Sequence, residues 1–309
     1  MGAPLRAAAP PSTARRHGLR AWLEVVPFLL PGLVLFAIFV AWPLLQGLRI
    51  SFYHWSIMPG AEQEFAGLAN FKRASLDPVV RYTIRNTLLY VIVTVPGQMI
   101  FGMLVALLLN AAVFGKTYWR AVYYLPVLTS WVVVAFVFKY LFGGGGSPVN
   151  YILKDVLHLL PSYVDWFQQY RTAEVPILVL GIWKGIGWTM VMFLAGLQGI
   201  SHDLYEAAAI DGASRTQSFW RVTVPLMRPV ILFVMVMLTI GAFSVFISVN
   251  ILTNGAPMNE TQVVLSYMYA QGFGFFDFGY GAALAALLGV LIFTISFLQF
   301  KFLGVKVEQ

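Results

Sequence analysis

Apolar and polar positions alternate along this chain in long blocks, with apolar runs separated by short polar connectors. Six runs reach the roughly 20 residues that a helix needs to cross a bilayer. They lie at 26–48, 87–110, 119–142, 175–197, 229–252 and 281–303. The predicted class is therefore all-α, a polytopic membrane protein with six transmembrane helices. Pro31 and Pro43 mark the first span. Pro96-Gly97 is expected to kink the second, which bundle neighbours tolerate. Gly102 and Ala106, four residues apart on that helix, offer a close-packing face. No internal repeat is evident.

The connector between the fourth and fifth runs differs from the others. Glu206 to Pro225 reads Glu-Ala-Ala-Ala-Ile-Asp-Gly-Ala-Ser-Arg-Thr-Gln-Ser-Phe-Trp-Arg-Val-Thr-Val-Pro. Asp203 followed by Glu206 fits an N-cap and capping box, and alanines suit the helix that follows. Gly212 is placed to end that helix. Ser214 followed by Gln217 is a second capping box, opening a short helix through Phe219 and Trp220 that Pro225 closes. The loop 201–225 is thus predicted as two short helices meeting at a glycine against the membrane. Small alanines let another backbone approach, which suits docking into a partner's groove.

Composition sharpens this picture. The 309 residues are 59% hydrophobic and 11% charged, where a soluble domain carries about a quarter charged residues. No soluble domain remains once the runs are removed. The net charge of +7 is then better explained by charges sorted by membrane side than by nucleic acid. Residues 1–25 hold Arg6, Arg15, Arg16 and Arg20 among Ala and Pro and are expected to be a disordered basic cytoplasmic tail. Residues 26–305 form the predicted transmembrane domain. With the N-terminus inside, the inner segments carry Arg6, Arg15, Arg16, Arg20, Lys116, Arg120, Arg215, Arg221, Arg228, Lys301 and Lys306. The outer segments carry Arg49, Lys72, Arg73, Arg81, Arg85, Lys139, Lys154 and Arg171. This modest excess, and the absence of Lys and Arg from 253–280, place both termini and the Glu206 loop in the cytoplasm. Cysteine is absent, so there is no disulfide framework and no thiolate chemistry.

No enzyme constellation is visible, and no catalytic residue is assigned. His17, His54, His158 and His202 are scattered and form no metal-ligand pair at helical spacing. There is no phosphate-binding Gly-x4-Gly-Lys-Ser/Thr loop, and Gly143–Gly146 lacks the following Lys. Lys184 falls well inside the fourth run, where a charge is costly and is by default a functional candidate. Snorkelling or a fixed pairing within the bundle is the alternative. Trp188, one turn on, would add a stacking face. Asn250 and Ser244 in the fifth run and Gln98 in the second complete a candidate solute path. Each could instead hydrogen-bond a neighbouring helix. The acidic residues fall outside the six runs, so the ion-coupling carboxylates of a stand-alone secondary transporter are not expected. An intramembrane enzyme would need a reactive cluster at depth, and none is visible.

A signature completes the reading. Glu206-Ala207-Ala208 is followed after three residues by Gly212, and after nine more by Val222-Thr223-Val224-Pro225. With Leu194-Ala195-Gly196-Leu197-Gln198-Gly199-Ile200, this resembles inner-membrane permease subunits of binding-protein-dependent sugar ABC importers, of the maltose/glycerol-phosphate permease type. Phe65-Ala66-Gly67-Leu68-Ala69-Asn70-Phe71, Arg85-Asn86-Thr87-Leu88, Leu125-Pro126, Gly143–Gly146 and Pro148-Val149-Asn150 are similar to phrases of the same family. The resemblance covers residues 26–305. It departs at Thr253-Asn254-Gly255-Ala256-Pro257, at Ile247 and at Asn250, which leaves the solute open. It implies the ABC importer permease fold and a coupling helix seated in an ATPase cleft, with Glu206, Ala207, Ala208, Asp211, Gly212, Arg215 and Pro225 as the coupling residues. It implies a bacterial or archaeal cell membrane. The implied partners are a second permease, two ATP-binding cassette subunits that hold ATP and Mg, an extracytoplasmic solute-binding protein, and membrane lipid. The implied solute is a sugar, with glycerol phosphate or another polyol as the alternative.

Overall fold

The computed structural model describes residues 19–303 except 59, 61, 62, 112 and 113, with side chains from Val26 onward. Residues 1–18 of the expected basic tail, the side chain of Arg20, Lys306 and the last two residues of the expected transmembrane domain lie outside the described residues.

The chain divides into two compact units at Arg49. The first is helical: α1 (Leu19–Phe36), a wider π turn at Ala37–Ala41, and α2 (Trp42–Ile50), which crosses the boundary. Pro27 and Pro31 sit inside α1. A proline frees the carbonyl one turn back, which helices in a membrane re-satisfy by local adjustment.

The second unit opens with a two-residue hairpin ladder, β1 (Tyr53–His54) against β2 (Glu64–Phe65), and the short helix α3 (Ala69–Leu76). Asn70 is buried and donates its side-chain amide to the carbonyls of Ser51 and Tyr53, both at 3.0 Å. Next comes α4 (Pro78–Asn110), which begins nine residues before its apolar run. The reason is local: the Asp77 carboxylate caps Val79 N–H at 2.9 Å and Pro78 occupies the first turn, a strong start signal. The helix runs unbroken through Pro96.

The third run departs from a simple span. It is two helices, α5 (Lys116–Leu128) and α6 (Trp131–Leu141), bent by 93° at Thr129-Ser130. A one-turn helix, α7 (Pro148–Asn150), follows the glycine turn. Asn150 is fully buried there. It donates to the carbonyls of Gly144 and Val164 and accepts from Trp166 Nε1 at 3.1 Å.

The fourth span is α8 (Tyr170–Gln198), five residues longer at its start than the apolar run. That extension takes in Glu174, a buried carboxylate with one oxygen lacking a partner. The expectation that every acidic residue lies outside the spans is corrected here. The polar loop follows as α9 (His202–Ile210) and α10 (Arg215–Ser218), then a π turn at Phe219–Thr223 and α11 (Val224–Phe243).

The fifth run breaks at Ser244–Phe246 before α12 (Ile247–Leu252). The loop beyond it carries α13 (Val264–Tyr269), and α14 (Phe278–Leu303) is the last span. Among the described residues five helical stretches are long and apolar enough to cross a membrane, and counting the bent α5–α6 pair as one span gives six. The protein is an all-α, multi-pass membrane protein.

Packing in the second unit centres on α4 against α8. A methyl group at Gly102 would overlap Thr189, and Ala106 is fully buried, so the small-residue face of α4 is occupied by a close neighbour. Glycines on α8 do the same in return. A methyl at Gly185 would strike the Gln98 amide, and one at Gly187 would strike the Tyr123 carbonyl of α5. Small residues matter because helices in lipid gain little from hydrophobic transfer and associate through close van der Waals packing. On another side α6 and α12 pack together through Val134, Ala135 and Phe138 with Val249 and Leu252. Lys139 Nζ ties them by donating to Ile251 O at 2.9 Å.

Polar residues sew the far loop to α4. The Asn86 amide donates to the carbonyls of Glu260 and Gln262, and Thr87 Oγ1 accepts from Val264 N–H at 3.0 Å. Asp77 accepts from the hydroxyls of Tyr267 and Tyr280 at 2.7 and 2.8 Å.

Candidate functional site

Two features of the second unit stand apart from packing: the α9–α10 loop and a cavity at the two helix breaks.

The loop is locally over-determined. Ser201, not Asp203, caps α9, its hydroxyl accepting from Asp203 N–H. The helix starts early enough to put Asp203 in its first turn, where a carboxylate favours the helix dipole. Glu206 is therefore not a capping-box partner. It meets His202 one turn back, at 3.0 Å, with both side chains exposed. Gly212 sits at φ +78°. Ala213 N–H bonds to Ala208 O at 2.9 Å and Gly212 N–H to Ala209 O at 3.0 Å, the two bonds of a Schellman stop. Ser214 and Gln217 then make the expected reciprocal capping box. The hydroxyls of Tyr205 and Thr223, 3.0 Å apart, tie the two arms together.

Pro225 does not end the second helix. It lies in the first turn of α11, where its missing N–H costs little, and the preceding π turn carries the chain on without a stop. The surface of the loop is more apolar than its composition suggests. Ala207 and Ala209 are exposed, Ile210 is 86% exposed, and Trp220 is exposed beyond them. Ala208 is half-buried, and Asp211, Gly212 and Arg215 are exposed. Ile210 was missed at the sequence level. Its signal was an isoleucine in the last turn before a glycine stop, and no described residue covers it.

The cavity holds about 540 Å³. Its wall combines Tyr90 and Gln98 of α4, Trp131 at the start of α6, Gly181, Gly185 and Trp188 of α8, and the stretch from Met237 to Ser248 across the break after α11. Of the five expected path residues it brings together Gln98, Trp188 and Ser244. Gln98 donates to Gly181 O at 3.1 Å, and Ser244 Oγ donates to Ile240 O at 3.1 Å.

Lys184 and Asn250 are not among its lining residues. Asn250 is exposed on α12. Lys184 is 4% exposed, and its ammonium group donates to the carbonyls of Pro126 and Thr129, each at 2.7 Å. Sequence reasoning missed Ser248 in this wall. It is buried, and its hydroxyl has no partner. Its signal was a serine one turn after Ser244 in an otherwise apolar run. Aromatic faces with a few neutral donors and acceptors, and no charged side chain in the lining, suit an uncharged polyhydroxylated molecule.

A multi-pass helical bundle with an ordered, partly apolar α9–α10 loop and a polar-aromatic cavity is the form of a membrane permease. The chain belongs to the family of binding-protein-dependent transport system inner membrane components, whose match covers residues 98–307. It is similar to the inner membrane ABC transporter permease protein YcjO of Escherichia coli, 33% identical over 273 residues, covering 88% of this chain and 92% of that one. It is also similar to the arabinooligosaccharides transport system permease protein AraP of Halalkalibacterium halodurans, 33% identical over 285 residues, covering 91% and 88%. Among solved structures, a bacterial ABC transporter involved in alginate import shares the fold, with a TM-score of 0.79, 23% identity, and coverage of 94% of this chain and all of that one.

Proposed function

We propose that this chain is one permease subunit of an ATP-driven importer for a neutral saccharide and forms half of its translocation pathway. The observation that carries the reading is the uncharged cavity, where Tyr90, Trp131, Trp188 and Phe246 accompany Gln98, Ser244 and Ser248. A phosphorylated polyol would need a cation there, and the nearby Lys184 is committed to backbone carbonyls. The relative's arabino-oligosaccharide role supports the same solute class.

The α9–α10 loop is the coupling element. It presents Ala207, Ile210 and Trp220 to the cleft of an ATP-binding cassette subunit, with Glu206, Asp211 and Arg215 around them. Ala208, Gly212 and Pro225 set its backbone. On this reading the loop and both termini lie in the cytoplasm and residues 253–280 outside. ATP and Mg are held by two partner ATPase subunits, a second permease completes the path, and an extracytoplasmic solute-binding protein delivers the sugar. Asn250, on the exposed face of α12, belongs to the outer approach of the path. ATP-driven closure of the partners moves the loop as a rigid body and switches the access of the cavity.

The test is uptake by the reconstituted assembly of radiolabelled arabinotriose, lactose and glycerol phosphate. Sugar uptake that needs ATP, with no uptake of glycerol phosphate, is expected. Uptake of glycerol phosphate in preference to both sugars would overturn the neutral-saccharide reading.

A further inference from the structure

The fourth span places a lysine where a solute contact is expected and then turns it away from the cavity. Where Lys184 points is explained by what α5 lacks. The last turn of a helix leaves carbonyls without intrahelical donors, and in a bilayer there is no water to take their place. At the end of α5 the chain turns through 93°, with Thr129 and Ser130 both extended. The α6 N–H groups therefore cannot continue the ladder. Pro126 O receives the Thr129 hydroxyl at 2.7 Å and Lys184 Nζ at 2.7 Å, and Thr129 O receives Lys184 Nζ at 2.7 Å. The same ammonium lies 4.9 Å from the ring centre of Trp131, the first residue of α6 and part of the cavity wall.

One cation thus grips the end of one half-helix and the beginning of the next from a third helix. Gly187, one turn further along α8, lets that helix approach α5 against the Tyr123 carbonyl. This close approach keeps the lysine within reach and shut off from solvent.

We propose that Lys184 is a positioning residue. Its ammonium group caps α5, holds the right-angle break between α5 and α6, and so sets Trp131 in the wall of the cavity, without itself touching solute. This goes beyond the transport reading and rests on it only for the uptake arm of the test.

The test uses the full chain, which has no cysteine of its own, in the assembled importer. Spin labels at Tyr118→Cys on α5 and Tyr140→Cys on α6, both exposed, report the bend by pulsed electron resonance. Lys184→Met keeps the length and apolar stem but removes every donor. A broadened, shifted distance distribution is expected, while Lys184→Arg keeps a narrow one. In the same assemblies the maximal rate of radiolabelled arabinotriose uptake falls about tenfold with Lys184→Met, as expected when about 1.4 kcal/mol is added to a barrier. The half-saturating concentration stays at its original value.

A Lys184→Met distribution that superimposes on the original overturns the proposal. So does a raised half-saturating concentration at unchanged maximal rate, which would make Lys184 a solute contact. If Lys184→Met does not assemble, Lys184→Arg decides alone. A retained narrow distance with unchanged preference between arabinotriose and lactose supports the role, and an altered preference overturns it. Failure of the unaltered chain to move any sugar would remove the transport reading and leave the distance measurement standing.

Discussion

A carboxylate surrounded by donors holds its charge longer than one in water, and Asp77 is such a group. Burial, the largest influence, pulls its pKa up, but hydrogen bonds from Tyr267, Tyr280 and the N–H groups of Val79 and Val80 bring it below the ordinary 3.8. A depressed folded-state pKa contributes stability that is fully present above the unfolded value and is lost as pH falls through the folded one. The clamp between α4, α13 and α14 is therefore at full strength at neutral pH and weakens only under strong acid, below 3.8. Asp77→Asn removes the charged acceptor, and hydrogen bonds to charged groups contribute about 1.5–3 kcal/mol. Thermal unfolding of the purified chain in detergent is expected to shift down for Asp77→Asn at pH 7, with the difference from the original shrinking toward the acid end. An equal midpoint at pH 7 would show that the tyrosines find other partners. In contrast, the Arg73–Asp277 pair at 2.6 Å is substantially exposed, and its charge attraction contributes about 1 kcal/mol or less.

Element boundaries and breaks show where sequence reasoning succeeds and stops. The six spans were legible because a bilayer demands length, and runs such as 281–303 have no other use. Gly212 and the Ser214–Gln217 box were legible because each acts within four residues of itself. The breaks at Thr129-Ser130 and Ser244–Phe246 were not, since neither carries a charge or a proline at the bend. The role of Lys184 was hidden for a related reason: its partners are backbone carbonyls from a distant helix, and every residue has one. Gly187→Leu makes the close approach testable. The added side chain must displace the Tyr123 backbone, overpacking costs about 1–3 kcal/mol, and lower yield and lower thermal stability are expected in detergent. In the loop, Gly212→Pro forbids φ +78°, because the proline ring fixes φ near −65°. Expression and span integrity should survive, since the loop is remote from the core, while sugar uptake and sugar-stimulated ATPase activity of the assembly fall together. Normal uptake at normal expression would release the loop from the coupling role.

For the whole molecule, the side of the membrane is the first thing to measure. Single substitutions Ser214→Cys and Asn259→Cys, in a chain without native cysteine, are expected to react with an impermeant thiol reagent from opposite sides. Ser214→Cys should react only from the cytoplasm. Labelling of Ser214→Cys only from outside would invert the topology and remove the ATPase docking argument. The isolated chain is also expected to show no ATP turnover, checked by phosphate release after removal of contaminating ATPases. The merger of α10 into α11 has a mechanical consequence of its own. Because the π turn at Phe219–Thr223 replaces a stop, the helical path from Arg215 runs on through Pro225 and Pro229 to Phe243 with no loop between the polar connector and the cavity wall. At 1.5 Å per residue that path has a contour length of about 40 Å, and if it tilts as one body a tilt of about 5° at its foot carries the far end by about 4 Å. On the proposed coupling, a small rocking of the partner at the loop is carried along this path toward Ser244 and Ser248, where α11 ends and the cavity wall begins.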